Sequence, residues 1–502
     1  MKAQFQRIRQ AVTSKQSVTS VLAGIAAVAG SFAAAGLTEA FAFTPVSSFV
    51  VHNTPAVIIN TTLDVFGAYG QLINMSFTLF VTVALFTVAT AIALELGRHS
   101  VGHAPATAVF VWLFAFALTG APLLSLGSAV PAALVVVLAY RPWQDELSLH
   151  EGRRWPDRDR RQVLQTSFGV VGFAGAAYLA GSLRSPAEDL PGLDEFADED
   201  VSGADELLAE AEMKSFDLPG SPDLVSEIGN FYTIDIASVP PTIDADDWTL
   251  EVSGEVNSAE TFSYDELRGM NSEHRFSTLR CVGEDLNDRE MDNGVWTGVQ
   301  ASEISERTGA TGDYVAMHAD DGFWNVITRE AFEQSFIVYG MNGKVLPREH
   351  GHPVRVIVPG HWGEVNVKWL TEIEFLDENI DGYWEERGWD GTGEVSAVAK
   401  LWTVEKTADG VLLGGQAYDG HDGVDRVEIS TDGGETWEEA EITEPLSVGD
   451  GWRQWRYELT EQGEHEVVIR MIDRDGNVQD SERTSSRPDG ARGWVTDTIN
   501  VE

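Results

Sequence analysis

Arg275-Phe-Ser-Thr-Leu-Arg-Cys-Val-Gly283 is the stretch that decides the fold, because it carries Cys281, the single cysteine of the chain. A second stretch further along, His350-Gly-His-Pro-Val-Arg-Val-Ile-Val-Pro-Gly360, is followed by Gly363-Glu-Val-Asn-Val-Lys-Trp-Leu370. A cysteine without context is more often a small buried hydrophobe than a ligand. Its thiolate would nevertheless suit a soft metal, and Arg280 beside it is expected to favour that thiolate.

The composition excludes several kinds of site and partner. One cysteine cannot form an intrachain disulfide, a four-cysteine zinc or iron–sulfur site, or a CxxCH haem attachment. The net charge of the 502 residues is −45, and residues 1–183 contribute almost none of it. No basic stripe is available to neutralise phosphates, so nucleic acid is not an expected partner. The acidic remainder predicts a halophilic surface that depends on screening by salt.

Residues 1–183 are predicted to form an all-α membrane domain. Apolar runs lie at residues 18–36, 72–94, 105–120, 122–139 and 163–183, which predicts about five spans. Arginines occur in the loops at 97–104 and 140–162, whereas the loop at 40–71 has neither Lys nor Arg, and this places the later residues outside the cytoplasm. Arg160-Arg161 resembles a twin-arginine export signal, and ordinary flanking charge explains the pair equally well. We therefore expect a multi-pass protein of the cell membrane.

The remaining residues change character twice. Residues 184–226 are acidic and proline-punctuated, which predicts a linker with one short helix. Residues 227–395 mix short strands and short helices without regular βαβ alternation, which predicts an α+β domain. Residues 396–502 contain only strand patterns, separated by turns such as Asp432-Gly-Gly434, and predict an immunoglobulin-like sandwich.

The two quoted stretches resemble the molybdopterin-binding core of the sulfite oxidase family. The resemblance covers residues 229–376 in order and spacing, and residues 396–502, which resemble that family's dimerisation domain, more loosely. It implies that Cys281 is the catalytic residue and the metal ligand of a molybdenum–molybdopterin cofactor, that a homodimer is possible, and that oxygen atoms are transferred while molybdenum cycles between Mo(VI) and Mo(IV). It further implies a set of cofactor-binding residues: Tyr232, Thr233, His350, Arg355, Asn366, Val367 and Lys368.

The sequence departs from the family where sulfite oxidases place arginines around their anionic substrate. The corresponding positions are Ile234, Leu286 and Val365. Carboxylates follow the cysteine instead, and compensation by other arginines stays open; these residues are Glu284, Asp285, Asp288, Arg289 and Arg307. A buried anion beside carboxylates is unfavourable, so a neutral sulfoxide-type oxo compound is the expected substrate.

Two alternatives remain from the sequence: a sulfite or other anion dehydrogenase, and a non-catalytic, membrane-tethered binding protein. No haem or flavin motif is visible, so we expect a separate electron-transfer protein as partner. Three aromatic residues are candidates for the wall of a substrate funnel, although core positions explain them equally well: Trp296, Phe323 and Trp324.

Overall fold

The computed structural model describes residues 15–66, 70–98, 102–140, 158–185 and 202–501. The chain divides into two compact units. The first comprises Met1–Glu188 together with Asp235–Thr242, and the second comprises Asp189–Ile234 and Ile243–Glu502.

The described residues of the first unit form helices that pack side by side. Small residues permit the closest approach, because a Cβ on Gly30 would lie 2.1 Å from the backbone oxygen of Gly127. Small residues at helix contacts are typical of packing in membranes. The helices are α1 (Lys15–Ala35), α2 (Thr44–Asn53), α3 (Ala56–Phe66), α4 (Gly70–Gly97), α5 (His103–Thr119), α6 (Leu126–Tyr140) and α7 (Arg158–Ser182).

The expectation of five membrane spans is wrong when it is judged by the length and composition of the helices. Two helical segments of the described residues are long and apolar enough to cross a bilayer, Lys15–Ala35 and Leu72–Gly97. Helices α5 and α6 have 17 and 15 residues, and a helix needs about 20 to cross the hydrocarbon core. Glycine and hydroxyl residues interrupt the apolar run of α7. Helices α2 and α3 also occupy part of the stretch 40–71, which the sequence analysis treats as a loop.

Much of the predicted charge pattern lies outside the described residues. Of the arginines in the predicted inner loops, Arg98 is described and pairs with Glu95 at 2.9 Å. The loop at 141–157 and the side chains of Arg160 and Arg161 lie outside the described residues. Sidedness and the export motif therefore stay predictions.

The second unit begins with the part predicted as a linker. Its helix α8 (Ser202–Lys214) is present, close to the predicted position. Ala204 and Ala211 on α8 and Leu224 after it are buried in the core that the C-terminal strands share. Residues 202–226 of the predicted linker are therefore part of the folded second unit.

Two sheets build the α+β part of the second unit. The first sheet has the order β2-β1-β10-β5-β6 and packs its buried face around Leu250, Ile373 and Val315. Its strands are β1 (Thr249–Gly254), β2 (Glu260–Ser263), β5 (Tyr314–Ala319), β6 (Trp324–Thr328) and β10 (Leu370–Leu376). The short helices of this part are α9 (Tyr264–Arg268), α10 (Ala301–Thr308) and α11 (Arg329–Glu333).

The second sheet carries the cysteine at the end of one strand. Its order is β17-β3-β4-β7-β8, with β9 paired to β7. Its strands are β3 (Ser272–Arg280), β4 (Met291–Gln300), β7 (Phe336–Met341), β8 (Lys344–Val345), β9 (Arg355–Ile357) and β17 (Gly449–Asp450). Strand β17 comes from the C-terminal part and pairs in parallel with β3. The cysteine-bearing strand is therefore hydrogen-bonded to both parts of the unit.

The C-terminal part is all-β, as predicted, and consists of two antiparallel sheets around a shared core. One sheet has the order β11-β13-β18-β16 with β12 paired to β13, and the other has the order β15-β14-β19-β20. Trp455 of the first and Met471 of the second belong to the same core. The strands are β11 (Val398–Ala399), β12 (Thr403–Lys406), β13 (Val411–Tyr418), β14 (Val424–Ser430), β15 (Glu438–Glu439), β16 (Glu441–Ile442), β18 (Arg453–Leu459), β19 (Gly463–Asp473) and β20 (Val495–Val501). The immunoglobulin-like class itself stays a prediction.

Candidate active site

Cys281 lies directly after β3, where the strand leaves the sheet. Its backbone N–H donates to the carbonyl oxygen of Glu290 at 2.9 Å, and its side chain is partly exposed. Burial of the thiol and the nearby carboxylates of Glu290, Glu284 and Glu364 raise the pKa of Cys281 above its usual range. Loss of the thiol proton therefore needs a strong local positive charge, and a bound metal ion supplies one.

Arg280 does not serve the thiol in the way that the sequence analysis expected. Its guanidinium is fully buried and donates to the Glu284 carboxylate at 2.9 Å. Its other nitrogens donate to the carbonyl oxygens of Ser396 and Ala491. Neighbouring side chains along a strand point to opposite faces, and this explains why Arg280 turns away from Cys281.

Glu284 forms the centre of a buried ion cluster with Arg280 and Lys400. The Lys400 ammonium donates to the same carboxylate oxygen, Oε1, and to the carbonyl oxygen of Asp288. The other oxygen, Oε2, accepts from the backbone N–H of Glu290 at 3.1 Å. The Glu284 carboxylate is thus buried and paired with two cations.

The cationic residues expected to bind the cofactor come together around Gly351. A Cβ on this glycine would lie 3.1 Å from the Cβ atoms of both Arg355 and Lys368. Arg355 donates to the carbonyl oxygens of His350 and Asn366 at 3.0 and 2.9 Å. Burial, followed by the charges of Arg355 and Lys368, lowers the pKa of His350 to about 3, so this imidazole is neutral at physiological pH.

Tyr232 connects this cluster with the cysteine. Its backbone N–H donates to Asp292 at 2.8 Å. Its hydroxyl lies 2.7 Å from the position of a Cβ on Gly363, and burial followed by the Cys281 charge raises its pKa. Burial also raises the pKa of Asp292 to about 6. The ring of Phe231 lies 5.4 Å from that of His350, so this segment runs from the histidine to the cysteine.

Three further residues predicted to contact the cofactor, Asn366, Val367 and Thr233, differ in burial and in hydrogen bonding. The Asn366 side chain is buried, and its Oδ1 accepts from the backbone N–H of Val358 at 2.7 Å. Val367 is a core residue whose N–H donates to Val365 and whose carbonyl accepts from Val356. Thr233 is exposed. Their roles toward a cofactor stay predictions.

The positions at which sulfite oxidases carry arginines do not provide cations here. Leu286 and Val365 are buried core residues and Ile234 is half exposed. The two compensating arginines are occupied elsewhere, since Arg289 donates to the carbonyls of Gly220 and Trp402 and Arg307 pairs with Glu260. Of the funnel candidates, Trp296 is a core residue at 1% exposure, whereas Phe323 and Trp324 contact Tyr383.

Sequence reasoning missed two residues near the cysteine, Glu364 and Trp389. A Cβ on Gly283 would lie 3.7 Å from the Cys281 sulfur and 3.8 Å from Cη2 of Trp389, so the indole and the thiol flank the same glycine. The Trp389 Nε1 and both Glu364 carboxylate oxygens are buried without a hydrogen-bond partner among the described residues. Glu364 directly follows the glycine of the quoted motif, but nothing local marked it as buried.

One cavity of the second unit is not lined by Cys281. It has a volume of about 340 Å³ and lies between the Arg275 end of β3 and C-terminal loops around Tyr418 and Asp450.

Comparison with known proteins identifies the family. Residues 236–384 match the oxidoreductase molybdopterin binding domain, and residues 394–487 match the Mo-co oxidoreductase dimerisation domain. The uncharacterized oxidoreductase YuiH of Bacillus subtilis is 31% identical over 169 residues, which cover 33% of this chain and 83% of that protein. Rat mitochondrial sulfite oxidase is 26% identical over 297 residues, covering 48% of this chain and 54% of the enzyme. The chain thus spans about half the length of that relative.

A solved structure shows the same fold. The sulfane dehydrogenase SoxCD of Paracoccus pantotrophus superposes with a TM-score of 0.51 at 19% identity, covering 55% of this chain and 83% of that one. The protein is therefore a molybdopterin-dependent oxidoreductase. It belongs to the sulfite oxidase family, as the sequence predicted, and this excludes the non-catalytic binding protein.

The residues present fit the molybdenum cofactor of this family. Cys281 is a partly exposed residue whose thiol is suited to a soft metal. Arg355 and Lys368 converge on one glycine beside a neutral His350, and such a set suits the phosphate of a pterin tail. These residues would hold the cofactor at its two ends, and the cofactor supplies two-electron oxygen-atom transfer when bound.

Proposed function

We propose that this enzyme transfers oxygen atoms to or from a neutral sulfur or nitrogen oxo compound outside the cytoplasm, and that its N-terminal helices anchor it in the membrane. One observation carries the substrate class. The carboxyl of Glu364 lies near Cys281, and the positions of the substrate arginines hold Ile234, Leu286 and Val365. An anion brought to this place would be desolvated beside a carboxyl group, which is unfavourable.

The reaction in the reductive direction consumes two electrons and two protons. An S-oxide gives the sulfide and one water molecule, because the S–O bond breaks and its oxygen leaves as water. The electrons come from a separate redox protein, since the sequence has no haem or flavin motif. The protein's own part is to orient the substrate and to exclude water around Cys281.

Different residues of the chain bind the cofactor, fix the cysteine loop and cover the sulfur. Arg355 and Lys368 bind the anionic end of the cofactor, and the hydrogen bonds from Arg355 to the His350 and Asn366 carbonyls fix the two segments that contact it. The buried cluster of Arg280, Glu284 and Lys400 fixes the loop that follows Cys281. Trp389 covers Gly283 beside the sulfur.

The proposal also covers membrane attachment and oligomeric state. Two helical segments can cross a bilayer, and the arginine distribution of the sequence favours an extracytoplasmic catalytic part. The dimerisation domain at residues 394–487 supports a homodimer.

A sulfite or other anion dehydrogenase is the second candidate. Arg492 favours it, because its Nε is buried without a partner among the residues that the structure describes, although its terminal nitrogen pairs with Asp489 at 3.1 Å. The preceding residue, Ala491, accepts a hydrogen bond from Arg280. This arginine could therefore meet an anion in the neighbourhood of the cysteine loop.

Substitution of the cysteine tests the enzyme assignment. Cys281→Ser is expected to lower bound molybdenum at least tenfold and to abolish turnover, because a hydroxyl is a poor ligand for a soft metal. Molybdenum is measured by metal analysis on the purified full chain, with near-UV circular dichroism as the check on folding. A folded variant that retains stoichiometric molybdenum would contradict the assignment of Cys281.

A substrate screen separates the two candidate functions. The wild-type holoenzyme is offered S-oxides, N-oxides, nitrate and sulfite, with artificial electron donors or acceptors as redox partners. We expect turnover with neutral oxo compounds. Turnover confined to sulfite would replace the proposal with the anion dehydrogenase.

A further inference from the structure

The Glu364 segment is held directly against the cysteine loop. Arg280 and Trp362 form a parallel β-bridge, so the chain after Trp362 runs beside the chain after Arg280. A Cβ on Gly363 would lie 3.0 Å from the Arg280 carbonyl oxygen. Glu364 therefore follows the backbone that adjoins Cys281, and its charge raises the pKa of the thiol.

The Glu364 carboxyl is buried without a counter-charge among the described residues. Neither oxygen is exposed, and neither has a hydrogen-bond or ion-pair partner in that part of the chain. The backbone N–H of Gly391 lowers the pKa of Glu364, but its geometry falls short of a hydrogen bond. Burial, then the charges of Glu385 and Asp390, raise the pKa of Glu364 to about 8. The charged groups acting on it are thus acidic.

A buried carboxyl group without a partner lowers the stability of the fold, so its presence suggests a functional role. Burying a polar group without a partner destabilises a fold, and a glutamine or an alanine would avoid the cost of charge. The indole N–H of Trp389, whose ring lies at Gly283 beside Cys281, is likewise buried without an acceptor among the described residues. Two buried polar groups near Cys281 therefore have no hydrogen-bond partner in the described part of the chain.

We propose that Glu364 is the specificity-determining residue of the substrate site beside Cys281 and that it selects neutral oxo compounds over anions. The inference rests on the proposed function and names the group responsible for it. An ionised carboxylate repels an anion strongly in a place of low dielectric constant. A protonated carboxyl can donate to the oxygen of a neutral S-oxide or N-oxide instead. Both protonation states favour the neutral substrate.

The test compares two variants that remove the same charge. Glu364→Gln and Glu378→Gln each remove one carboxylate, but Glu378 is exposed. Both are purified as holoenzymes with molybdenum measured, and kcat and KM are determined for dimethyl sulfoxide and for sulfite. Inhibition by sulfate is titrated in parallel, because it reports anion binding without turnover. If Glu364→Gln does not load molybdenum, Glu364→Met provides the same loss of charge.

Glu364→Gln is expected to strengthen inhibition by sulfate at least tenfold. The ratio of kcat/KM for dimethyl sulfoxide to that for sulfite should fall at least tenfold, mainly through the KM for sulfite. Glu378→Gln should leave both quantities within twofold of the wild type. A structural role for Glu364 would change melting temperature or molybdenum content without changing this ratio, and that result would overturn the inference.

The outcome is distinguishable from failure of the proposed function. If the wild-type enzyme uses sulfite alone, the proposed function fails whatever the variant does. If the wild-type enzyme uses neutral oxo compounds and Glu364→Gln leaves the selectivity and the sulfate inhibition unchanged, the proposed function stands and only the assignment to Glu364 is wrong.

Discussion

At the scale of single residues, buried charge decides how the cysteine loop is held. Arg280, Glu284 and Lys400 are each at most 1% exposed. Taking three charges out of water is costly, and removing one member of such a cluster breaks a buried ion pair. Lys400 belongs to the C-terminal part of the chain, so the cluster joins the dimerisation domain to the loop that follows Cys281.

Lys400→Met is expected to destabilise the second unit strongly. Breaking a buried ion pair by removing one partner costs about 3–5 kcal/mol, and about 1 kcal/mol lowers the melting temperature by roughly 2–4 °C in a domain of this size. We expect a fall of at least ~6 °C, measured by near-UV circular dichroism of the purified full chain. Lys344→Met is the control, because Lys344 is exposed.

The double variant Lys400→Met/Glu284→Gln checks the cause. It leaves the buried Arg280 guanidinium without its carboxylate, so the double variant should be less stable than Lys400→Met alone. A double variant as stable as Lys400→Met alone would show that packing of the lysine chain, and not its charge, is what matters.

At the scale of elements, the loop between β13 and β14 gathers acidic groups. Asp419 lies within this loop, and burial followed by the charges of Asp422, Asp473 and Glu394 raises the pKa of Asp419 to about 7. The folded state therefore holds a proton on Asp419 that the unfolded state releases near pH 4. Folding stability must fall as the pH rises from about 4 to 7, because the folded state binds more protons in that window.

Asp419→Asn is expected to raise the melting temperature more at pH 8 than at pH 5. At pH 8 the variant removes an ionised, repelled carboxylate, whereas at pH 5 that carboxyl is already neutral in the folded state. Thermal melts are recorded at both pH values in EDTA, so that bound cations do not offset the repulsion. Glu435→Gln, in an exposed turn, serves as control. An equal shift at both pH values would contradict the stated origin of the effect.

The local sequence predicted the secondary-structure elements better than it predicted which charged side chains pair with one another. The resemblance to the sulfite oxidase family implied Arg355 and Lys368 as cationic cofactor contacts, and the structure brings the two residues together at Gly351. The neutralisation of Glu284 could not be foreseen, because Lys400 is 116 residues away in the chain. The direction of Arg280 could have been predicted, since strand neighbours alternate in facing.

For the N-terminal helices, the sequence predicted the apolar segments but not the number of membrane spans. Hydropathy found every apolar run, but the number of spans depends on where each helix ends. Gly120, in the left-handed conformation, ends α5 after 17 residues, and α6 is shorter still. Helix ends are set by caps and turns, and these signals were weaker in the sequence than the apolar runs themselves.

At the scale of the whole molecule, charge is distributed very unevenly. The net charge is −45, with 79 acidic and 34 basic residues, and residues 1–183 carry almost none of the excess. The ion pairs of the second unit are therefore too few to neutralise its acidic surface, and repulsion among exposed carboxylates opposes folding. Salt screens such repulsion over a Debye length of about 10 Å at 0.1 M and about 3 Å at 1 M.

We therefore expect the melting temperature of the full-length holoenzyme to rise as KCl is increased from 0.1 M to 1 M, because screening relieves repulsion among the exposed carboxylates. Sucrose, which stabilises by exclusion from the surface without screening charge, provides the comparison at matched osmolality. Lowering the pH to 5 should reduce the dependence on KCl, because the most strongly repelled carboxyl groups are then protonated. Equal stabilisation by KCl and sucrose would show that exclusion, and not screening, is responsible, and the acidic surface would need another explanation.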